Sequence, residues 1–371
     1  MKARRILIIG GGIGGLTSAI ALGRHGHDIT VIEKDPAWSV YGVGIIQQSN
    51  VIRAAQALGI LEDYLAAGVG FDAVEVFLPD GRKIARVPSH RLIEGCPANL
   101  GIGRPALHRL LGRHARAEGA RVRLGVVAER IDDDGESIRC ALSDGTSERF
   151  DVVIGADGLH SQTRQWLFPA APRPEFTGQA VWRYNLPRSP GLDCLQAYNG
   201  RIGAGLVPLS QEQMYLFLTT PEPGNPRYPR NGLAAAMRSK LADAAPPIAA
   251  LADAIVDDDE VVYRPLDWLL LEGPWHVGRI VLLGDAVHAT TPHLGQGAGM
   301  AIEDSIVLAE EIARQDSVEA AFTAYHARRY PRCRYIVEAS LAICRGQLGS
   351  GPPVDNARAT QEMFDVVAAP L

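Results

Sequence analysis

The sequence is poor in features that would tie it to an oxidising compartment, a membrane or a charged polymer. It has five cysteines in 371 residues: Cys96, Cys140, Cys194, Cys333 and Cys344. The number is odd and no C-x-x-C pair occurs, which argues against a disulfide framework and a zinc site and fits a reducing cytosol. No window approaches the roughly 18 consecutive apolar residues of a membrane span. The apolar stretch near the start is too short before glycines intervene to be a signal-peptide core. A formal net charge of −5 gives no global reason to expect nucleic-acid binding. The acidic runs Asp132-Asp133-Asp134 and Asp257-Asp258-Asp259-Glu260 lack the interleaved glycine and ligand spacing of a calcium loop, so they read as solvated turns and no metal is expected. No internal repeat is visible. The expectation is a cytoplasmic protein, and 47% apolar content over this length suits one large domain or two fused ones.

What is present is a set of three glycine-and-acid motifs, each just after a short apolar strand pattern. Gly10-Gly11-Gly12-Ile13-Gly14-Gly15 follows Ile6 to Ile9. Gly155-Ala156-Asp157-Gly158 follows Val152 to Ile154. Gly284-Asp285-Ala286 follows Ile280 to Leu283 and leads into Gly295-Gln296-Gly297-Ala298-Gly299. Ligands of open α/β sheets bind at the carboxyl ends of strands, so three such ends suggest one long cofactor lying across one sheet.

Between these motifs the pattern changes. A helix is expected over about 13–25 and a strand over Asp28 to Glu33, completing a β-α-β unit. Two helices broken at Gly59 fit 49–67, and Pro79-Asp80-Gly81 marks a hairpin between Val74–Leu78 and Lys83–Val87. Arg104-Pro105 opens an amphipathic helix. Residues 121–149 read as an antiparallel meander feeding a main-sheet strand, Phe150 to Ile154. From about 175 to 219, β-like runs carrying Trp182, Tyr184, Tyr198, Tyr215 and Phe217 read as a separate antiparallel sheet. Helices are expected over about 232–255 and 297–343, with a kink or break at Pro331, and the tail reads as loop with one helical turn. The fold class is therefore α/β: a Rossmann-like cofactor domain (1–72, 100–174 and 264–320), an inserted antiparallel-sheet substrate domain (73–99 and 175–263) and a C-terminal helical segment (321–371).

Gly10-x-Gly12-x-x-Gly15 is a dinucleotide fingerprint. The first glycine permits the tight turn, the second lets the backbone approach a pyrophosphate, and the third allows close helix packing. Glu33 ends the second strand, where an acid accepts ribose hydroxyls, with Lys34 beside it. An acid there favours an unphosphorylated ribose, as in NAD or the adenosine half of FAD. The later motifs favour FAD. Asp285 suits the hydroxyls of a ribityl chain, and a helix N-terminus near Ala298 would face the electron-rich edge of a flavin.

With Gly284-Asp285-Ala286-Val287-His288-Ala289-Thr290-Thr291-Pro292, these motifs resemble the single-component FAD-dependent aromatic hydroxylases, like p-hydroxybenzoate and salicylate hydroxylases, over about residues 4–345. The resemblance implies that NADH or NADPH reduces FAD, O2 adds at flavin C4a, and the distal oxygen of the C4a-hydroperoxyflavin goes to a small aromatic or heteroaromatic ring. The implied substrates are phenols, hydroxybenzoates and hydroxypyridines. It places Gly10, Gly12, Gly14, Gly15, Glu33 and Lys34 at the nucleotide, Val127 at adenine, and Asp157-Gly158 near the pyrophosphate and the path of NAD(P)H. Arg104 and Asp285 would hold the connecting chain. Pro292, Gly295, Gly297 and Ala298 would line the flavin ring, and the Gly42-Val43-Gly44-Ile45 segment would let it swing. No second G-x-G-x-x-G is present for a separate nicotinamide domain.

The candidates for substrate chemistry are His293, Arg183, Tyr184 and Tyr215. His293 follows Pro292, as in salicylate-hydroxylase-like members; it either touches substrate or holds the loop. Related urate-hydroxylating enzymes carry an acid there, which weakens a urate reading. Arg183 would bind a carboxylate or phenolate, unless it pairs on the other face of the sheet, since alternation sends Trp182 and Arg183 opposite ways. No histidine follows the mobile glycines; Gln47 or Gln48 would hydrogen-bond substrate instead. Expected partners are the aromatic substrate and O2, with no nucleic acid or membrane, in a monomer or homodimer. The rival readings are a flavoprotein dehydrogenase, halogenase or epoxidase, and a non-enzymatic flavin-binding sensor; the halogenase branch lacks its Trp-x-Trp-x-Ile-Pro stretch.

Overall fold

The structure, a computed structural model, describes residues 3–371. Its organising element is a six-stranded sheet built around the apolar run β1 (Arg5–Ile9). To one side lie β2 (Asp28–Glu33) and β8 (Arg121–Leu124), and to the other β12 (Val152–Gly155), β19 (Ile280–Leu282) and the short edge strand β18 (His276–Val277). All pairs are parallel except β18 with β19. The parallel strands are apolar on both faces because helices cover both sides. Residues 121–124 thus belong to this sheet and not to the meander, because the helix before them returns the chain to the open edge of β2. The meander itself is β9 (Ala128–Asp133), β10 (Ile138–Leu142) and β11 (Ser147–Phe150). Phe150 ends its last strand.

The packing helices are α1 (Ile13–Arg24), α4 (Arg104–Ala117), α5 (Gln162–Leu167) and α9 (Gly297–Arg314). Helices α2 (Ser49–Ala57) and α3 (Leu61–Ala66) break at Gly59, whose φ is +71°. A small sheet of β3 (Gly44–Gln48), β7 (Asn99–Gly103) and β4 (Gly68–Phe71) joins this body to a seven-stranded sheet. The larger sheet runs β17 (Val262–Trp268), β13 (Glu175–Pro187), β16 (Gln213–Pro221), β15 (Gly203–Pro208), β14 (Leu195–Tyr198), β5 (Ala73–Phe77) and β6 (Lys83–Pro88). It is not wholly antiparallel: β14 pairs with β5 in parallel, since β5 arrives from a distant part of the chain. Its strand β17 also carries the sheet beyond residue 263.

Alternation on β13 sorts its side chains cleanly. Trp182, Tyr184 and Leu186 are buried against α6 (Leu233–Leu241), α7 (Pro246–Ala249) and the turn after them. Val181 and Arg183 point to the opposite face.

Two expectations about the C-terminal helices fail. α10 (Val318–Leu348) continues through Pro331 without a break, and the chain breaks instead before α10, where the Ser317 side chain caps the helix by accepting the Ala320 N–H. Phe322 and Tyr325 before the proline and Cys333, Ile336 and Val337 after it lie in the same core, which offsets the lost backbone bond. The tail is also no single turn: α11 (Asn356–Ala368) is capped by Asp355 and buries Met363, Phe364 and Val367. Arg53 holds its far end through the carbonyls of Val367, Ala368 and Ala369. No helix among the described residues is long and apolar enough to cross a membrane.

Candidate active site

The carboxyl ends of β1, β12 and β19 open on one cavity of about 750 Å³. The fingerprint glycines divide by what surrounds them. Gly10 has φ +111° and a Cβ there would lie 2.4 Å from the Ala156 carbonyl oxygen; one on Gly15 would lie 1.9 Å from that of Gly10. On Gly14 it would meet Leu283 at 2.8 Å. Gly10 and Gly15 serve close packing, whereas Gly14 packs on Leu283 and also lines the cavity. Gly12 differs: no atom lies within 4 Å of its Cβ position, and it faces the cavity at the N-terminus of α1. Space beside a helix N-terminus with free N–H groups is a cradle for a phosphate.

Glu33 stands at the end of β2, where its carboxylate accepts the Gly11 N–H at 2.8 Å and the Asp35 N–H at 2.9 Å. It braces the glycine turn. Lys34 is exposed and stands off the cavity wall, which Asp35 joins instead. The Gly11 carbonyl accepts Trp38 Nε1 at 2.9 Å and lies 3.0 Å from His108 Nε2, two braces that no sequence motif announces. Val127 is also outside the cavity lining, with its N–H and carbonyl both bonded to Ser143. Val43 is core, but its carbonyl accepts the Arg104 N–H at 3.0 Å.

Asp157 is turned away from the cavity: its carboxylate accepts Ser161 Oγ at 2.5 Å and Thr163 N and Oγ1 at 2.9 and 3.0 Å, so it caps the turn into α5. Its neighbours Ala156 and Gly158 do line the space. The reason is local: five residues ahead of the start of α5, the carboxylate reaches the free Thr163 N–H of its first turn.

Opposite the glycines, Arg104 and Asp285 lie deep in the protein on the same cavity wall. Burial pushes the Arg104 guanidinium down to about 10, with Arg183 adding to the shift and Tyr215 and Asp285 opposing it. Its Nε has no hydrogen-bond partner. Asp285 is surrounded by protein yet open to the cavity; burial raises its carboxyl, opposed by His288 and Arg104. An unpartnered buried donor and an acceptor facing one space suit a ligand with both an anionic chain and hydroxyls. The N-terminus of α9 brings Gly297 and Ala298 to the same wall.

Behind Asp285 lies a buried ion network. His288 and Asp304 are fully buried, and Arg329 bridges Asp304 at 2.8 Å and Glu303 at 2.8 Å. Burial opposes the charges, but the pairing outweighs it: Asp304 is held down to about 2 and His288 is raised well above its ordinary range. His288, Asp304 and Cys333 bring three potential metal-ligand atoms within 4.8 Å, a spacing that the ion pair itself accounts for.

A second cavity of about 180 Å³ adjoins the first. Ile46, Phe217, Pro292 and Gly295 line both, so the turn from Pro292 to Gly295 is the partition. The seven-stranded sheet, Gln347 of α10 and the side of α11 form the other walls. His293 lies on this inner side. Its Nε2 is 3.1 Å from Gln347 Oε1 and its Nδ1 2.9 Å from Thr291 Oγ1, and burial pushes it down to about 4, so it is a neutral ring with both nitrogens engaged. Gln347 could not be found by pattern, being 54 residues away on a helix of ordinary composition. Gln48 lines the inner cavity, whereas Gln47 is turned away to Tyr64 Oη at 2.6 Å.

Arg183 lines the larger cavity and donates to Tyr215 Oη at 3.0 Å. Tyr184 does not reach either cavity. It lies in the core on the other face of β13, accepting the Asp257 N–H at 3.4 Å, because strand alternation puts it with Trp182. Tyr41 and Arg264, which sequence gave no reason to pair, stack at the rim of the larger cavity at 4.2 Å.

A family model described as an FAD binding domain matches residues 4–340. The chain is 32% identical over 361 residues to the aurachin C monooxygenase/isomerase of Stigmatella aurantiaca, covering 93% of this chain and 89% of that one. It is 30% identical over 358 residues to the 6-hydroxynicotinate 3-monooxygenase of Bordetella bronchiseptica, covering 91% and 90%. Among solved structures, Klebsiella pneumoniae HpxO complexed with FAD and uric acid superposes with a TM-score of 0.83 at 26% identity, covering 98% of this chain and 92% of that one. The family-model match over residues 4–340, with relatives matched along nearly the whole chain, places the chain in the family of FAD-dependent aromatic hydroxylases.

Proposed function

We propose that the protein is a monooxygenase that uses NADH or NADPH and O2 to hydroxylate a small aromatic or heteroaromatic ring. The observation that carries this reading is the pair of cavities meeting at the Pro292–Gly295 turn, one of about 750 Å³ beside the fingerprint glycine Gly12 and the other walled largely by apolar side chains. The relatives support it, being named for oxygenation of ring compounds such as 6-hydroxynicotinate.

Gly12 and the α1 N-terminus would cradle the FAD pyrophosphate, Arg104 and Asp285 would hold the chain between the two ring systems, and the α9 N-terminus would face the flavin's electron-rich edge. Once bound, FAD supplies the redox chemistry that activates O2. The protein's part is to position the substrate ring across the turn and exclude water. His293, neutral and engaged on both sides, would tie the turn to Gln347 of α10. Arg183 and Tyr215 would meet the cofactor side of the site, and Tyr184 has no part in it.

The test is NADH and NADPH oxidation by the FAD-loaded protein with a panel of ring compounds, following O2 and peroxide. Faster oxidation with little peroxide and a product heavier by one oxygen is the expected outcome. Electron transfer to an artificial acceptor with no oxygen incorporated from O2 would favour the dehydrogenase.

A further inference from the structure

The inner cavity has no formal charge on its walls. Its polar side chains are Gln48, Asn99, Asn199, Thr219, Gln347 and their neighbours on α11, and its two titratable rings are both neutral at pH 7: burial pushes His293 down to about 4 and raises the Tyr198 phenol. Strand alternation accounts for this. Val74 and Val76 point inward from β5, while Glu75 between them faces away to Lys83, Arg86 and Gln196. Leu195 and Ala197 point inward from β14 in the same way. The arginines near the site, Arg104, Arg183 and Arg264, all line the other cavity.

We propose that the inner cavity selects an uncharged aromatic or heteroaromatic substrate, one without a carboxylate, and that neutral amide edges read its polar atoms. The proposal rests on the monooxygenase reading for what the cavity is for, but its content is the charge of the ligand. A carboxylate entering this space would leave water without meeting a cation, a loss that neutral hydrogen bonds do not return. A hydroxyl or ring carbonyl loses far less and finds a donor. Gln347 is set up to give one. Its Oε1 faces Gln179 Nε2 at 3.0 Å, His293 Nε2 at 3.1 Å and Thr219 Oγ1 at 3.4 Å, whereas its Nε2 has no hydrogen-bond partner among the described residues. Gln48 is held from the other side, donating to the Leu294 carbonyl at 3.2 Å and accepting from Gln296.

The experiment is a titration of the FAD-loaded protein at pH 7 by calorimetry and by the flavin absorbance change. The probes are matched pairs: 2-naphthol against 3-hydroxy-2-naphthoate, and 4-hydroxyquinoline against its 2-carboxylate. At least one neutral member is expected to bind at least about tenfold tighter than its carboxylate partner. Ala197→Arg and Val76→Lys each place a cation in the cavity and should narrow or invert that ratio while FAD content and melting temperature hold. Carboxylates binding as tightly as their neutral partners, no binding by any neutral probe, or a ratio untouched by both variants in well-folded FAD-loaded protein would overturn the proposal. Tight neutral binding without oxygen incorporation would sink the monooxygenase reading and leave the charge selection standing. Oxygenation of the carboxylates alone would do the reverse.

Discussion

His288 Nε2 lies 2.6 Å from Asp304 Oδ2, and the same carboxylate oxygen accepts the Gly284 N–H at 3.0 Å. One buried acid on α9 therefore holds both ends of the turn that presents Asp285 to the larger cavity. The helix whose N-terminus faces the cavity and the acid beside it are fixed by a single side chain.

Removing that acid's charge should be costly. Asp304→Asn leaves His288 and Arg329 buried without their shared partner, and a loss of about 3–5 kcal/mol is expected in urea unfolding of the cofactor-free protein. The pH sign agrees. Asp304 is depressed to about 2, so its contribution is complete above the ordinary carboxylate range and disappears as pH falls through about 2. A loss below about 1 kcal/mol would mean the network is not a support.

Two glycines of the fingerprint should fail differently. Gly15→Ala drives a methyl into the Gly10 carbonyl and should lower the stability of the cofactor-free protein by about 1–3 kcal/mol or more. Gly12→Ala meets no protein atom, so stability should hold while FAD affinity falls by about tenfold or more. Thermal unfolding without FAD and fluorescence titration with it separate the two, and unchanged FAD affinity in Gly12→Ala would contradict the assigned cradle.

His293 should make stability sensitive to mild acid. Its folded value near 4 lies below the ordinary histidine value, so the unfolded chain takes up the proton first. Stability then falls as pH drops from about 6.5 toward about 4, by at most about 3 kcal/mol from this group. His293→Gln keeps hydrogen bonding without the titration. Its melting temperature should vary less than the parent's between pH 7 and pH 4.5, and equal slopes would refute the assignment.

Arg183 and Tyr184 are neighbours with opposite expectations. Tyr184→Phe should change FAD affinity and turnover by less than about twofold, since only one long backbone hydrogen bond is lost. Arg183→Met removes a charge from the larger cavity and should weaken FAD binding or substrate-dependent turnover by about tenfold. Steady-state kinetics across an FAD titration would show whether the order holds.

The parts of the site that were legible in the sequence are those where backbone geometry leaves little choice of residue. Gly10 and Gly15 are such positions because each close approach admits only glycine, whereas alternation on β13 separates Trp182 from Arg183 without telling which face meets the cavity. Asp157 was legible as a motif but not in its task, because a capping carboxylate and a ligand-facing one have the same neighbours in sequence. Trp38 and His108 on the Gly11 carbonyl, Tyr41 with Arg264, and Gln347 with His293 were not legible, since each contact joins segments that only the folded chain brings together. Pro331 misled for a related reason: local preference argues for a break there, and burial on both sides overrides it.

The alternation along β13 has a consequence for how such a chain can change over generations. Its inward row, Trp182, Tyr184 and Leu186, answers to the packing of α6, whereas Val181 and Arg183 answer to the cavity. A substitution at one parity of position is therefore felt as lost solubility or half-life, and one at the other parity as altered chemistry. Because the two rows point to opposite faces of the sheet, descendants of this sequence can explore new ligands through the odd-numbered positions while the even-numbered ones keep the sheet intact.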